Sequence, residues 1–255
     1  MPTLRRIHYL LTTGAKRRLR DVVLRSGRDN RFTLREDVAR RYLSGEGIEI
    51  GPFVWPLRVP PGVRVRTVDF KSRQELIEAN RGTVTNIDSI PKIDVVDNAE
   101  ELSTFADESL DFVIASHVVE HLEDPLGGLT NWLRALRPGG VLYIGVPDAV
   151  QSFDARRPRT SVAHVLRDHA EGPGVSRQGH YEEWARYIEG VGEDGVAERA
   201  AAFAREDARH HFHVWELGGF LEFLGASGLP CVVEFAQRGI EEFVVVVRKR
   251  NGGES

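Results

Sequence analysis

Cysteine is all but missing from this chain. Cys231 stands alone among 255 residues, so an intrachain disulfide and a thiolate metal cluster are both excluded. As the opening residue of the apolar run CVVEF, it reads as a small core residue. Lysine is nearly as scarce, four of 34 basic residues against 30 arginines, which points to a GC-rich genome more than to a binding role. No run approaches the roughly 18 apolar residues that a membrane-spanning helix needs. Near the N-terminus only Tyr9–Leu11 are consecutively apolar, too few for a signal peptide. The expectation is a cytoplasmic protein with no transmembrane segment. Internal repeats and low-complexity tracts are also missing.

What is present is the composition of a soluble globular protein, 41% apolar and 28% charged. The length suits one large domain, or one carrying an insertion. The net charge of -4 divides unevenly. Residues 1–45 hold 12 Lys or Arg and 4 Asp or Glu, a net of +8, which leaves 22 basic and 34 acidic residues elsewhere, a net of -12. Such an arm can attract nucleic acid, an acidic lipid surface or the protein's own acidic body, and the last is favoured.

The first 45 residues read as two helices parted by a polar break over Ser26–Asn30. Thr33 is the expected cap of the second, in the capping-box pattern TLRE. After Gly45 the pattern turns to short apolar strands: Gly47–Gly51, Val63–Asp69, Ile93–Val96, Leu110–Ser116 and Val141–Val146. Helices are expected over Arg73–Asn80 and Leu126–Leu136. Near-continuous apolar strands alternating with helices predict a parallel sheet covered on both faces. Residues 149–209 break the rhythm, with candidate helices at Val162–Asp168 and Glu182–Glu189, and read as an insertion. A helix over Leu217–Leu224 and a hairpin of Cys231–Ala236 with Glu242–Arg248 close the chain.

The segment LDFVIASHVVEHLEDPLGGLTNWLRALRPGGVLYIGVPD, residues 110–148, carries the chemistry. Its two strands end at Ser116-His117 and Pro147-Asp148. In open α/β sheets ligands bind beyond the carboxyl ends of strands, so His117 and Asp148 belong at the mouth of one site. The segment resembles the fourth strand, helix and fifth strand of class I S-adenosylmethionine-dependent methyltransferases of the type 11-like kind. With the flanking strands the resemblance covers about residues 45–148 and 212–249. It implies a Rossmann-like three-layer α/β sandwich with a seven-stranded, mostly parallel sheet whose last strand is antiparallel. Divided accordingly, the chain has an N-terminal helical arm (1–45) and a methyltransferase domain (46–255), with 149–209 forming a cap that binds the acceptor.

The same resemblance implies S-adenosylmethionine as cofactor and assigns its contacts. Glu49, Gly51 and Pro52 stand in the loop after the first strand, where Phe53 replaces the family's second glycine. Pro52, Pro56, Pro60 and Pro61 then leave no room for a normal helix. This loop is similar to that of a subgroup associated with polysaccharide synthesis. Asp69 is placed on the ribose hydroxyls. Asp97, Asn98 and Ala99 are placed at the adenine, and Ser116 at the methionine portion.

Methyl transfer to a hydroxyl calls for an in-line alignment and a proton acceptor. His117 is the first candidate base and Asp148 the second. Glu120 and His121 lie one helical turn beyond His117. In HHFHVW, His211 and His213 alternate and would share a face in an extended segment. Together with Asp148 they could hold a divalent metal, although contact with the acceptor is favoured and no metal is assigned. His180 and His210 complete the substrate-binding candidates. His164, His169, Tyr181, Trp184 and Tyr187 add further imidazole and aromatic groups to the insertion.

The function these residues imply is methylation of a sugar hydroxyl on an oligosaccharide or polysaccharide precursor, by a monomer or homodimer. Nucleic acid is not an expected partner. The alternatives are an RNA or protein methyltransferase guided by the basic arm, and a catalytically silent relative that only binds the cofactor.

Overall fold

A computed structural model describes residues 30–82 and 84–251 of the chain. The first of the two expected N-terminal helices lies outside them. The second, α1 (Asn30–Tyr42), contains Thr33 in its interior, so the TLRE pattern does not cap it. Tertiary packing outweighs the local signal here. Val38 and Ala39 of α1, with Leu43 just beyond it, bury against one face of the sheet, on Phe112, Ile114, Tyr143, Val244 and Val246.

The sheet has seven strands: β1 (Glu46–Ile50), β2 (Arg64–Asp69), β3 (Val95–Val96), β4 (Leu110–Ser116), β5 (Leu136–Pro147), β6 (Cys231–Arg238) and β7 (Glu242–Lys249). Their spatial order is β3-β2-β1-β4-β5-β7-β6. Strands β1 to β5 run parallel, and β7 inserts antiparallel between β5 and β6. This is the Rossmann-like sheet that the resemblance implies, with the terminal hairpin in its expected place.

Alternation along β4 explains the double covering. Phe112 and Ile114 point to the α1 side, while Val113 and Ala115 point to the opposite core. That larger core is closed by α3 (Pro125–Ala135) and α7 (Leu217–Ala226) through Leu129, Trp132, Leu133, Phe220 and Phe223, all fully or nearly fully buried. Each such side chain contributes roughly 1.5–3 kcal/mol of burial free energy. Gly47 is needed where β1 crosses β4, because a side chain there would collide with the Phe112 carbonyl oxygen and ring. Cys231 is only half-buried, packed at the margin of this core on the outermost strand.

α2 (Arg73–Asn80) follows β2 and starts with a capping box built by Ser72 and Glu75. The insertion folds as α4 (Val162–Glu171), α5 (Gly174–Tyr187) and α6 (Glu193–Arg205) around a core of its own. That core includes Tyr181, Trp184, Val196, Phe203 and Phe212. The helix expected over Glu182–Glu189 in fact starts at Gly174, and α6 was not anticipated. Among the described residues no helix is long and apolar enough to cross a membrane.

Candidate active site

Strand β1 lies between β2 and β4, and the carboxyl ends of the three strands meet where the order of connections reverses. Ligands of open α/β sheets bind at such a point. β1 ends at Ile50 and the chain turns on Gly51, which has a left-handed φ of 58° and donates its N–H to Val68 O at 2.8 Å. Phe53, in the place of the second glycine, takes the left-handed conformation that glycine would take, φ 43°. That costs about 1–2 kcal/mol for a residue with a Cβ. Its ring offsets the cost by packing on the small core of Val54, Leu76 and Ile90. No helix forms between Gly51 and Arg73, as the prolines require.

Glu49 is buried and accepts the Leu57 N–H at 2.8 Å, which holds the proline-rich loop over the end of β1. Burial pushes its carboxyl up to about 7. Pro52 is buried beside it and closes a turn with Trp55 N–H, 2.9 Å.

Asp69, the last residue of β2, is 5% exposed. Burial raises its carboxyl to about 6, because the Lys71 and Phe70 amides offset little of the lost hydration. The Lys71 amide is 3.4 Å away. A carboxylate in this state gains from hydroxyl donors such as those of a ribose.

Asp97 differs. Burial alone would raise its carboxyl, but Thr104 (N–H 2.9 Å, Oγ 2.5 Å), the Asn98 amide and Ser103 Oγ donate to it and hold it below the usual range. It braces the 97–104 turn. Asn98 bonds to the Glu100 amide and to Glu101, and Ala99 O accepts Trp132 Nε1–H at 2.6 Å. Ser116 Oγ, at the end of β4, is buried without a hydrogen-bond partner.

Beyond Ser116 the chain enters the left-handed region at His117, φ 57°. This turns the His117 ring toward β7, where Nε2 meets Glu242 Oε2 at 2.8 Å. Glu242 also receives a two-pronged ion pair from Arg35 of α1, with Nε at 2.6 Å from Oε1. Burial opposes the Glu242 anion, yet the Arg35 and His117 hydrogen bonds hold its carboxyl below the ordinary value. With the Glu242 carboxylate as acceptor, Nε2 donates this hydrogen bond, and the other ring nitrogen, Nδ1, is left out of it. That Nδ1 lies 3.9 Å from Glu120 Oε1.

Glu120, in the single turn Val119–His121, is fully buried, and neither carboxylate oxygen has a hydrogen-bond partner. Burial raises its carboxyl well above the usual range, with Asp154 and Glu242 adding to the effect. His211 Nε2 faces it at 3.9 Å and His211 Nδ1 meets Asp154 Oδ2 at 2.7 Å. His121 packs edge-on to His211, its Nδ1 at 2.9 Å from the His210 carbonyl. Burial, then His211, lowers His121 to about 3. Glu120, His121 and His211 each bring a donor atom within 4.8 Å of the others, an arrangement able to hold a cation.

The remaining sequence candidates lie elsewhere. Asp148 is fully buried, and its carboxylate accepts the Val150 amide at 3.1 Å and pairs with Arg238 Nε at 3.2 Å. It caps the turn after β5, which gives this carboxylate a structural role there. His210 stacks on Trp184, with centroids 4.2 Å apart, inside the insertion core, and burial lowers it to about 3. His211 and His213 do not share a site with Asp148. His211 joins Glu120 and Asp154, whereas His213 joins His164 and His180. The metal site imagined from HHFHVW and Asp148 therefore does not form.

Sequence reasoning missed Arg35, Asp154 and Glu242. For Glu242 a signal existed: the first residue of an antiparallel β7 must lie beside the carboxyl end of β5, and it pairs there with Pro147.

Residues 58–144 match a family model described as a methyltransferase domain. An uncharacterized 37.1 kDa protein in transposon TN4556 of Streptomyces fradiae is 31% identical over 138 residues, covering 52% of this chain and 38% of that one. The chain thus spans well under half the length of that curated relative. A S-adenosylmethionine-dependent methyltransferase of Aquifex aeolicus has 12% identity and a TM-score of 0.47, over 86% of this chain and 89% of that one. One from Methanosarcina mazei has 17% identity and a TM-score of 0.44, over 82% and 95%. Residues 58–144 are thus similar in sequence to a methyltransferase domain, and they contribute strands to the sheet whose carboxyl ends form the glycine-turned, carboxylate-bearing cleft.

Proposed function

We propose that the protein is an O-methyltransferase acting on a sugar hydroxyl of an oligosaccharide or polysaccharide precursor. The observation that carries the reading is the Arg35–Glu242–His117 relay, which presents His117 Nδ1 beside the unpartnered carboxyl of Glu120. Glu49 and Gly51 shape the cofactor loop, and Asp69 takes the ribose hydroxyls. Asn98 and Ala99 border the adenine, and the unpaired hydroxyl of Ser116 faces the methionine portion. Bound there, S-adenosylmethionine supplies an electrophilic methyl group on a sulfonium. An acceptor hydroxyl between His117 and Glu120 loses its proton to His117 Nδ1 as its oxygen takes the methyl. The His117 side chain is 40% exposed, which gives the acceptor access.

Support for a carbohydrate is narrower. It rests on the resemblance to the polysaccharide-associated subgroup, and on a carboxyl and imidazoles suited to several hydroxyls at once. The insertion, residues 149–209, is the cap that would read the acceptor. The arm is not free to guide RNA over its described part, because Arg35 is bound to Glu242, and Arg40 to Glu36 and Asp37.

A second reading places a divalent ion on Glu120, His121 and His211 to orient the acceptor oxygen. It is favoured by the outer nitrogens of both histidines, which are tied to the His210 carbonyl and to Asp154 as metal-bound imidazoles usually are. The test is transfer of isotopically labelled methyl from S-adenosylmethionine to oligosaccharides, RNA and protein, with and without chelator. Label recovered as a methyl ether of a sugar supports the proposal, and label only in RNA or protein overturns it. Loss of transfer on chelation, restored by magnesium or manganese, selects the second reading.

A further inference from the structure

We propose that His164, His180, His213 and Asp168 form a binding site for one divalent transition-metal ion of the zinc type, which clasps the insertion to the segment that returns to the sheet. The site stands apart from the Glu120 cluster and does not depend on the identity of the acceptor.

The four groups come from three elements. His164 and Asp168 lie one turn apart on α4, His180 is on α5, and His213 is on the extended segment before α7. One donor atom from each histidine lies within 4.8 Å of the other two. His164 Nε2 is 3.3 Å from His180 Nε2 and 3.1 Å from Asp168 Oδ2, and His180 Nε2 is 3.8 Å from the same oxygen. Bonds of about 2.0–2.2 Å to a tetrahedral ion set its ligand atoms roughly 3.3–3.5 Å apart. The three separations among His164, His180 and Asp168 scatter about that edge, and the His213 donor lies within 4.8 Å of those of the other two histidines.

Hydrogen bonding accounts poorly for the same cluster. Asp168 is completely buried, yet Oδ2 has no hydrogen-bond partner, and the 3.1 Å approach of His164 is out of line for one. His213 is 1% exposed; the Glu123 backbone carbonyl acts on its ring, but neither ring nitrogen completes a well-formed hydrogen bond. A buried polar atom left so is destabilising, and a charged one more so. A cation would satisfy the carboxylate and one nitrogen of each ring together.

The surroundings fit. Asp168 Oδ1 accepts Ser176 Oγ–H at 2.6 Å, which orients the carboxylate and leaves Oδ2 toward the histidines. His213 stacks on Trp215 with centroids 5.3 Å apart, which fixes its ring. Arg157, whose charge acts on both buried histidines, is itself paired with Asp154 and Glu183. His164, with 28% of its side chain exposed, leaves a path of entry. Three imidazoles and one carboxylate fill a tetrahedron, which is the closed pattern of a structural ion.

The experiment is a titration of chelator-treated full-length protein with Zn²⁺ and Co²⁺, followed by calorimetry, visible absorption and thermal melting. The expected result is one ion per chain with tetrahedral cobalt absorption and a higher melting temperature. This binding weakens at least a hundredfold in His180→Ala and Asp168→Asn and persists in Glu120→Gln. His164→Ala removes the most exposed ligand and serves if a buried variant fails to fold. X-ray absorption on the zinc-loaded Glu120→Gln protein should show three imidazoles and one oxygen. No tight binding to the wild type, binding indifferent to His164 and His180, or fewer than three imidazoles would each overturn the proposal.

Discussion

Replacing Glu242 by glutamine keeps the shape of the side chain and removes its charge, which isolates the relay from Arg35 to His117. Two interactions change. The acceptor of the His117 Nε2 proton, 2.8 Å away, becomes neutral, and Arg35 loses its counterion. A hydrogen bond to a charged group is worth about 1.5–3 kcal/mol and a neutral one about 1 kcal/mol. The difference, about 0.5–2 kcal/mol, corresponds to a fall in kcat of roughly 2- to 30-fold. The fall is larger if the new amide donates to Nε2 and forces the imidazole proton onto Nδ1. Stability falls as well. Orphaning one partner of a buried pair costs about 3–5 kcal/mol, and the 13% exposure of the Arg35 side chain brings the figure to the lower end. Its sign with pH follows from the lowered carboxyl of Glu242: the stabilisation is present above the ordinary value of 4.5 and is lost as pH falls through the lower folded value. The assay pairs thermal melting with steady-state methyl transfer. Adding Arg35→Gln should recover part of the melting temperature and none of the turnover, with KM for S-adenosylmethionine unchanged throughout. A folded Glu242→Gln protein with kcat within twofold of wild type would refute the relay.

Three further outcomes are expected. Because burial holds the Asp69 carboxyl near 6, affinity for S-adenosylmethionine should be constant above that pH and fall about tenfold per unit below it; calorimetry across pH 4.5 to 8 (a span of roughly that width suffices) checks the slope, and a flat profile removes the ribose assignment. Phe53→Gly relieves about 1–2 kcal/mol of left-handed strain and loses the packing on Val54, Leu76 and Ile90, so denaturant melting should move by less than about 1.5 kcal/mol. A loss above about 3 kcal/mol would show that the ring, not the turn, is what the position requires. Asp148→Asn should lower the melting temperature but spare turnover per folded molecule far better than His117→Ala does; equal losses would return Asp148 to the chemistry.

How far the sequence could be read depended on the range of the interaction. β4 was legible residue for residue, because five of its seven residues are apolar and buried on both faces and leave a near-continuous run. Arg73–Asn80 was equally clear, since its capping box is local. α6 was hidden because its buried positions, Val196, Ala200 and Phe203, are few and spread along an alanine-rich, charge-flanked segment. The turn-capping role of Asp148 was not legible, because a residue at a strand end can cap a turn as readily as face a ligand, and its partner Arg238 lies ninety residues on. Glu242 and Arg35 are 207 residues apart and meet only when β7 has entered the sheet. The split of His211 from His213 is likewise a matter of which helices the insertion folds over them.

The account rests most on S-adenosylmethionine seated at the carboxyl ends of β1, β2 and β4, and calorimetry with that cofactor tests it directly. One saturable site per chain is expected, with affinity falling by about 2 kcal/mol or more, roughly 30-fold, in a folded Asp69→Ala protein. No heat of binding at millimolar S-adenosylmethionine, or equal affinity in the variant, would contradict it.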